Sequence, residues 1–545
     1  MRTLMTNAVL VDGTGAPRWS ADVLLDGDTI ATISDGGSLE RGRADRVIDA
    51  EGLVLSPGFI DMHAHSDLHL LTVPDHYAKI SQGVTTELLG QDGLSYAPVD
   101  DDTLAAMRQK IAGWNGDPED FDWNWRTVAE YLDRLDTDNG GRIATNAAYL
   151  VPQGTVRALV IGFDEGQATP QQLDRMQDVV RTAMVEGAVG MSSGLTYTPG
   201  IYATTEELAA LCRTVGDLGG FYAPHHRSYG KGALDAYAEM IGLSRSTGCA
   251  LHLSHATMNF AENKGRAGEL LSLIDAALDD GVDITLDTYP YLPGATTLSA
   301  MLPSWASAGG TDATLARLRD PETRTRIRED IEVHGSDGCH GVVAEWEALE
   351  ISGVQNQDLA AYIGRTIDAI AVDQRRDAFE VFAGILLDDR LGTGILQHVG
   401  HEENVRAIMV HRSHTGGSDG LLIGAKPHPR AWGTFPRYLG HYCRDLDLLS
   451  LEEMVHHLTG RPAARLKLAR RGLVRAGYAA DLVLFDPAAI KDQATFTNPR
   501  LAATGIHYVF VNGTAAVDGG CPTGARAGRV LRRHSDGLTR TGTST

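Results

Sequence analysis

Apolar runs that end in polar residues alternate with amphipathic stretches over most of this chain. The first runs, residues 4–11, 22–33 and 47–55, are short and β-like. Turn residues such as Asp12-Gly13-Thr14-Gly15 and Asp26-Gly27-Asp28 separate them, which predicts a small β layer. From Ser56 the pattern changes. Strand-like runs at 84–89, 143–151, 220–225, 249–255 and 282–288 alternate with segments whose apolar positions recur at helical spacing. Those segments cover 120–135, 170–185, 205–218, 233–247 and 265–280. Repeated β and α units predict a parallel sheet, and their number favours a closed (β/α)8 barrel over an open sheet.

Residues 290–396 exceed what one barrel connection needs. They hold a charged helical stretch (312–332), a strand-like run (341–347) and an apolar helical stretch (367–387), which predicts an inserted, lid-like subdomain. A helix is expected at 450–468. The chain then returns to β at 472–487 and in a hairpin over 508–517 that turns at Asn512-Gly513. These C-terminal strands can pair with the N-terminal ones. The expected organisation is therefore a β-sandwich built from both chain ends (1–55 and 469–535) around a barrel at 56–468, with an insertion around 292–350. The polar tail, 532–545, is expected to fray.

The formal net charge of −23 on 545 residues argues against nucleic acid or an anionic membrane as a partner, since both repel an acidic surface. No run approaches the ~20 apolar residues of a membrane span. No signal peptide is expected at the N-terminus. The five cysteines are scattered, with no Cys-x-x-Cys pair, which fits a reducing, cytoplasmic setting. Self-association into a homo-oligomer stays open.

Candidate chemistry enters at residues 56–67, where an apolar run ends in His63-Ala64-His65. Residues two apart on a strand face the same side, so both imidazoles would enter one space at a strand's C-terminal end. That end of a barrel carries the chemistry. His225 and His255 each close a later strand-like run, and imidazole is a ready zinc ligand. Strand alternation turns His252 away from His255, and His226 is set aside beside His225. Asp419, in Gly417-Ser418-Asp419-Gly420, falls at the top of the last barrel strand. A carboxylate there could take a proton from a metal-activated water and return it to a leaving amine.

Pro57-Gly58-Phe59-Ile60-Asp61-Met62-His63-Ala64-His65 resembles the signature of the amidohydrolase superfamily. Further stretches are similar to one branch, the N-acyl-D-amino-acid deacylases. They include Gly190 through Gly200, Ser254-His255, Tyr289-Pro290-Tyr291, Gly417 through Gly420, His428 through Arg437 and Arg471 through Pro487. The resemblance implies a zinc-bearing (β/α)8 barrel with a flanking β-sandwich. It implies that His225 and His255 hold the tightly bound zinc, that His63 and His65 hold a weaker position, and that Asp419 is the catalytic acid–base. It also implies that Arg430 holds the substrate α-carboxylate, with Tyr289 nearby.

Two positions depart from that family. Where the family has a zinc-binding cysteine after the second strand, this chain has Asp92, in Gly90-Gln91-Asp92-Gly93. A carboxylate still binds or bridges metals but is a harder ligand than a thiolate. One or two ions, with zinc, manganese or cobalt as candidates, are therefore all compatible. Where the family often has a lysine two residues after the Ser-His histidine, this chain has Thr257, with Lys264 further along as a substitute. The expected function is metal-dependent hydrolysis of the amide bond of N-acyl-D-amino acids, small molecules with a carboxylate. The alternatives are a dipeptidase acting before a C-terminal D-residue, a cyclic-amide hydrolase, and a non-catalytic scaffold on the same fold.

Overall fold

A computed structural model of the chain describes residues 1–137 and 143–542. Its centre is an eight-stranded parallel sheet: β1 (Phe59–Asp61), β2 (Val84–Leu89), β3 (Asn146–Pro152), β4 (Gly190–Gly194), β5 (Phe221–His225), β6 (Ala250–Leu253), β7 (Ile284–Thr288) and β8 (His414–Gly416). The strands follow sequence order, except that β8 pairs with β7 after the long excursion between them. The last strand also meets the first. Met62 N–H donates to the Gly416 carbonyl at 3.1 Å, Asp419 N–H donates to the His63 carbonyl at 2.8 Å, and Ala64 bridges Gly420 in parallel. The sheet is thus a (β/α)8 barrel.

Its interior is apolar at the lower end, where Ile60, Met62, Leu88, Leu150, Phe221 and Ala223 form one buried cluster. Helices such as Pro170–Val185, Thr205–Asp217 and Ala233–Thr247 cover the outside. The first of these opens with a capping box, the Thr169 side chain on Gln172 N–H and the Gln172 side chain on Thr169 N–H, followed by Pro170. That local sequence fixes the helix start where the apolar periodicity begins.

Both chain ends build a second, nine-stranded mixed sheet beside the barrel. The N-terminal strand Val54–Pro57 pairs antiparallel with Leu482–Phe485, which joins the two ends. One face of this sheet encloses Leu10, Val23, Leu55, Leu482 and Phe510 in a core of its own. The other packs Val54, Val483 and Val509 against Phe435, Tyr438 and Leu458 beside the barrel. The hairpin Ile506–Val511 to Thr514–Asp518 turns at Asn512-Gly513.

Between β7 and β8 lies a subdomain with its own core and a three-stranded antiparallel sheet, Gly294–Thr297, Leu349–Gly353 and Gly394–Gln397. We propose its bounds as Gly294–Gln397, wider than 292–350, because its central strand is the last of the three in sequence.

Several elements differ from the pattern reading. The stretch at 120–135 becomes helical only at Val128, since Phe121, Trp123 and Trp125 pack on one another and the Trp125 indole donates to the Tyr96 carbonyl. The run at 341–347 is not a strand; the strand is Leu349–Gly353. Residues 312–332 split into two helices at Asp320-Pro321, where a proline opens the second, and 367–387 splits at Arg375, whose φ is +54°. The tail does not simply fray. Arg532–Arg533 pairs with Thr539–Arg540, and Arg532 pairs with Asp133 at 2.5 Å; residues 543–545 lie outside the described residues. No helix among the described residues is long and apolar enough to cross a membrane.

Candidate metal centre

The mouth of the barrel is built from the ends of five strands. β1 stops at Asp61, whose side chain turns outward and clamps two backbones. Its Oδ1 accepts from His63 N–H at 3.1 Å and from Ser418 N–H at 2.8 Å. Lys79, fully buried, donates to Asp61 Oδ2 at 2.5 Å and to Ser418 Oγ at 2.7 Å. The histidine-bearing end of β1 and the aspartate-bearing end of β8 are therefore held together from behind. After β2 the chain turns sharply through Asp92, and after β6 through His255; both have left-handed backbone (φ +54° and +32°), as does Asp419 (+49°). Close packing is required there: a Cβ on Gly194 would stand 2.1 Å from the Asp92 carbonyl oxygen, so only glycine lets β4 approach that turn.

These turns aim four imidazoles and two carboxylates into one buried space. One ligand atom each from His63, His65, Asp92 and Asp419 lie within 4.8 Å of one another, and so do those of Asp92, His225 and His255. Asp92 belongs to both groups. Its Oδ1 lies 3.5 Å from His63 Nε2 and 3.4 Å from His255 Nε2; its Oδ2 lies 3.5 Å from His65 Nε2 and 3.6 Å from His225 Nδ1. Two ligands that share a tetrahedral zinc at ~2.1 Å stand ~3.4 Å apart, so these separations suit a common ion better than direct hydrogen bonds. Both ring nitrogens of His63 and Asp92 Oδ1 are buried without a hydrogen-bond partner. Orphaned donors and acceptors of this kind are costly unless something satisfies them. The donor set of imidazole and carboxylate suits zinc, and Asp92 is the residue common to both groups.

Neighbours fix the presentation of each imidazole. Thr196 Oγ1 lies 2.7 Å from His225 Nε2, which leaves Nδ1 for the shared space. The Tyr229 hydroxyl lies 2.9 Å from His255 Nδ1, which leaves Nε2. Asp287 Oδ1 accepts from His255 N–H at 3.0 Å, while Oδ2 faces His63 Nδ1 at 3.7 Å and His252 Nε2 at 3.0 Å. Such partners orient ligands and raise their basicity. His252 therefore stands apart from the cluster and acts through Asp287, and His226 packs between Tyr229 and Tyr237, outside it.

Electrostatics follow the same layout. Burial opposes ionisation of Asp92, but His63, His255 and His225 outweigh it and hold the carboxyl well below its usual range. Asp419 is lowered in the same way, with Arg430 the largest opposing influence to burial. Burial likewise opposes charge on His63, yet Asp92 and Asp419 raise it well above the ordinary imidazole value. For His225 burial wins and the shift is downward.

Arg430 Nη2 sits 2.9 Å from Asp419 Oδ2, and the guanidinium carbon stands 4.4 Å from the Tyr289 ring centroid. The arginine is fully buried, and its Nε and Nη1 have no partner. An anion that reached them would complete its fork. Tyr289 lines the pocket in front of the cluster, together with Thr257 and Asn259, which bond each other at 2.7 Å. Lys264 is exposed and does not line this pocket, so it does not stand in for the family lysine. Sequence reading missed Thr196, Tyr229, Asp287 and the Asp61–Lys79 clamp. Thr196 and Asp61 lie in stretches already singled out by resemblance; Tyr229, Asp287 and Lys79 carry no local spacing signal.

A parallel barrel with buried imidazoles and carboxylates at the C-terminal ends of its strands defines a metal-dependent hydrolase. The chain belongs to the amidohydrolase family, which matches residues 46–517. It is 36% identical over 530 residues to the D-aminoacylase of Alcaligenes xylosoxydans xylosoxydans, covering 97% of each chain. It is 34% identical to the N-acyl-D-glutamate deacylase of the same organism, covering 96% of this chain and 95% of that one. The structure of the Bordetella bronchiseptica N-acyl-D-glutamate deacylase, solved with zinc and a phosphonate inhibitor, superposes with a TM-score of 0.82 at 32% identity over 97% of this chain and 99% of that one. This chain is thus a D-aminoacylase-like member of the family.

Proposed function

We propose that the chain hydrolyses N-acyl-D-amino acids to a carboxylic acid and a free D-amino acid, using zinc held by His63, His65, Asp92, His225 and His255. The observation that carries this reading is the position of Asp419. It closes the metal-ligand cluster on one side, with Oδ1 3.2 Å from His65 Nε2, and meets Arg430 through Oδ2 on the other. When bound, zinc polarises a scissile carbonyl and makes water acidic enough to attack near neutral pH.

The chain's own groups then act as follows. Asp419, kept ionised, accepts the proton of the attacking water at Oδ1, the oxygen not tied to Arg430. It returns that proton to the amine nitrogen as the C–N bond breaks, so the carboxylate ends as it began. Arg430 and Tyr289 flank this aspartate and supply donors for the substrate carboxylate, a task that suits the planar guanidinium fork. The inserted subdomain supplies part of the pocket wall. Thr196, Tyr229 and Asp287 hold the imidazoles in place throughout.

The direct test is a panel of N-acetyl-D- and N-acetyl-L-amino acids, with short peptides ending in a D-residue and a hydantoin, assayed after reconstitution with zinc, manganese or cobalt. Acetate and free D-amino acid as products, with the L-series and the hydantoin untouched, are expected. Ring opening of the hydantoin without turnover of the acylated acids would replace this reading by the cyclic-amide one.

A further inference from the structure

The inserted subdomain supplies eight residues to the wall of the pocket, among them Ala300, Met301 and Gln397, and of these only His340 is titratable. Its backbone is left-handed, with φ +56°. Asp92, His255 and Asp419 also have positive φ, as does Phe260 (+66°), which lines the same pocket. For residues other than glycine it costs energy and persists only where surrounding contacts impose it, which makes it a pointer to function.

The contacts that impose it are specific. The His340 carbonyl accepts from Lys231 N–H and from Ser228 Oγ, each at 3.1 Å, and its N–H donates to the Asp337 carbonyl at 3.1 Å. A Cβ on Gly230 would stand 2.7 Å from the His340 carbonyl oxygen, so the loop is pressed onto the barrel mouth. The ring lies against Tyr229 (5.6 Å between centroids) and Phe260 (5.5 Å), and Tyr229 in turn bonds the ligand His255. Nδ1 is buried and unpartnered, yet the residue stays partly open to the pocket. Burial keeps the ring neutral, pushing it down to about 3. With Nδ1 buried, Nε2 is the atom left to meet a substrate, and it donates when it carries the ring proton.

The eight residues that the subdomain supplies include no lysine, arginine or carboxylate, so on this wall, unlike the side held by Arg430, a neutral imidazole meets substrate atoms with no counter-charge beside them. We propose that His340 is a substrate-contacting residue delivered by the inserted subdomain, donating from Nε2 to an uncharged acceptor oxygen of the substrate. This rests on the acyl-D-amino-acid reading above. The oxygen belongs either to the scissile carbonyl, common to all substrates, or to a polar side chain of the D-residue.

The test compares the zinc-loaded enzyme with His340→Asn, His340→Phe and His340→Gln on N-acetyl-D-leucine, N-acetyl-D-glutamine and N-acetyl-D-glutamate. Asparagine tolerates the left-handed backbone, so its variant keeps the loop even if phenylalanine does not. Both H340N and H340F should lose about tenfold or more in kcat/KM while zinc content stays unchanged, and H340Q should recover part of the loss. A loss in kcat on every substrate assigns the scissile carbonyl; a loss confined to KM for the glutamine derivative assigns the side chain. Variants within twofold of wild type throughout would overturn the proposal, and so would loss of zinc in H340N, which would mean that His340 only supports Tyr229 and His255. A wild-type enzyme inactive on all acylated D-acids would instead overturn the parent reading, and this inference with it.

Discussion

Replacing Asp92 with alanine removes the one carboxylate that both halves of the cluster share. Its two oxygens lie 3.4–3.6 Å from one nitrogen of each of the four imidazoles. On the proposed reading the substitution takes a ligand from both groups at once, and it leaves His63, His65, His225 and His255 without their central negative charge. Changing groups that merely support a ligand typically weakens metal binding 10–100-fold, so loss of the ligand itself should reach at least about 100-fold per ion. That is ~2.7 kcal/mol at each position. The assay is competition with a chromophoric chelator, followed by elemental analysis of the desalted protein. Wild type should retain two zinc ions, and Asp92→Ala no more than one, released at far lower chelator concentration. Asp92→Asn should resemble alanine, since the amide lacks the charge. Asp92→Cys should restore binding at His225 and His255 and favour zinc over manganese, because thiolate is the softer ligand. Equal zinc content and equal chelator resistance in wild type and D92A would refute the bridging role.

Other outcomes follow from the same geometry. Zinc binding to the metal-free protein should release protons at pH 7: burial disfavours charge on His63 and His65, yet Asp92 and Asp419 raise both above 6.5, so a fraction is protonated and must yield to the metal. Apparent zinc affinity should then rise with pH and fall as pH drops, and calorimetry in buffers of different ionisation enthalpy would detect no proton release if this is wrong. Arg430→Ala should raise KM for N-acyl-D-amino acids about tenfold or more; an unchanged KM with altered kcat would show that Arg430 acts only through Asp419. Lys79→Met leaves Asp61 and Glu87 buried without their ammonium partner (2.5 and 3.6 Å) and should cost about 3–5 kcal/mol, read as a lower denaturant midpoint; an unshifted midpoint would remove the clamp.

The barrel and three of the candidate ligands were legible because each carries a local signal. His63 and His65 sit two apart at the end of an apolar run, and His225 ends another, so period and position place them. His255 is different: it reaches the cluster only through its left-handed turn, which strand alternation does not encode. Asp92 and Asp419 read as turn residues when taken alone, and their roles emerged from resemblance. Asp287 and Tyr229 were not legible, because their partners lie on other strands and no spacing links them. Lys79 belongs to no motif read from the sequence, and only the closed barrel seam explains its burial. The inserted subdomain was visible as excess length, but its helix breaks at Pro321 and Arg375 and its sheet depend on packing within its own core.

The central claim is that Asp419 moves the proton while the cluster around Asp92 holds the metal. Steady-state turnover of N-acetyl-D-amino acids by Asp419→Asn, on protein of measured zinc content, separates the two roles. Asparagine keeps the shape and the contact with Arg430 but cannot accept the proton. The account predicts zinc content close to wild type with kcat lower by about 10²–10⁴-fold. Near-normal turnover at full zinc occupancy would contradict it.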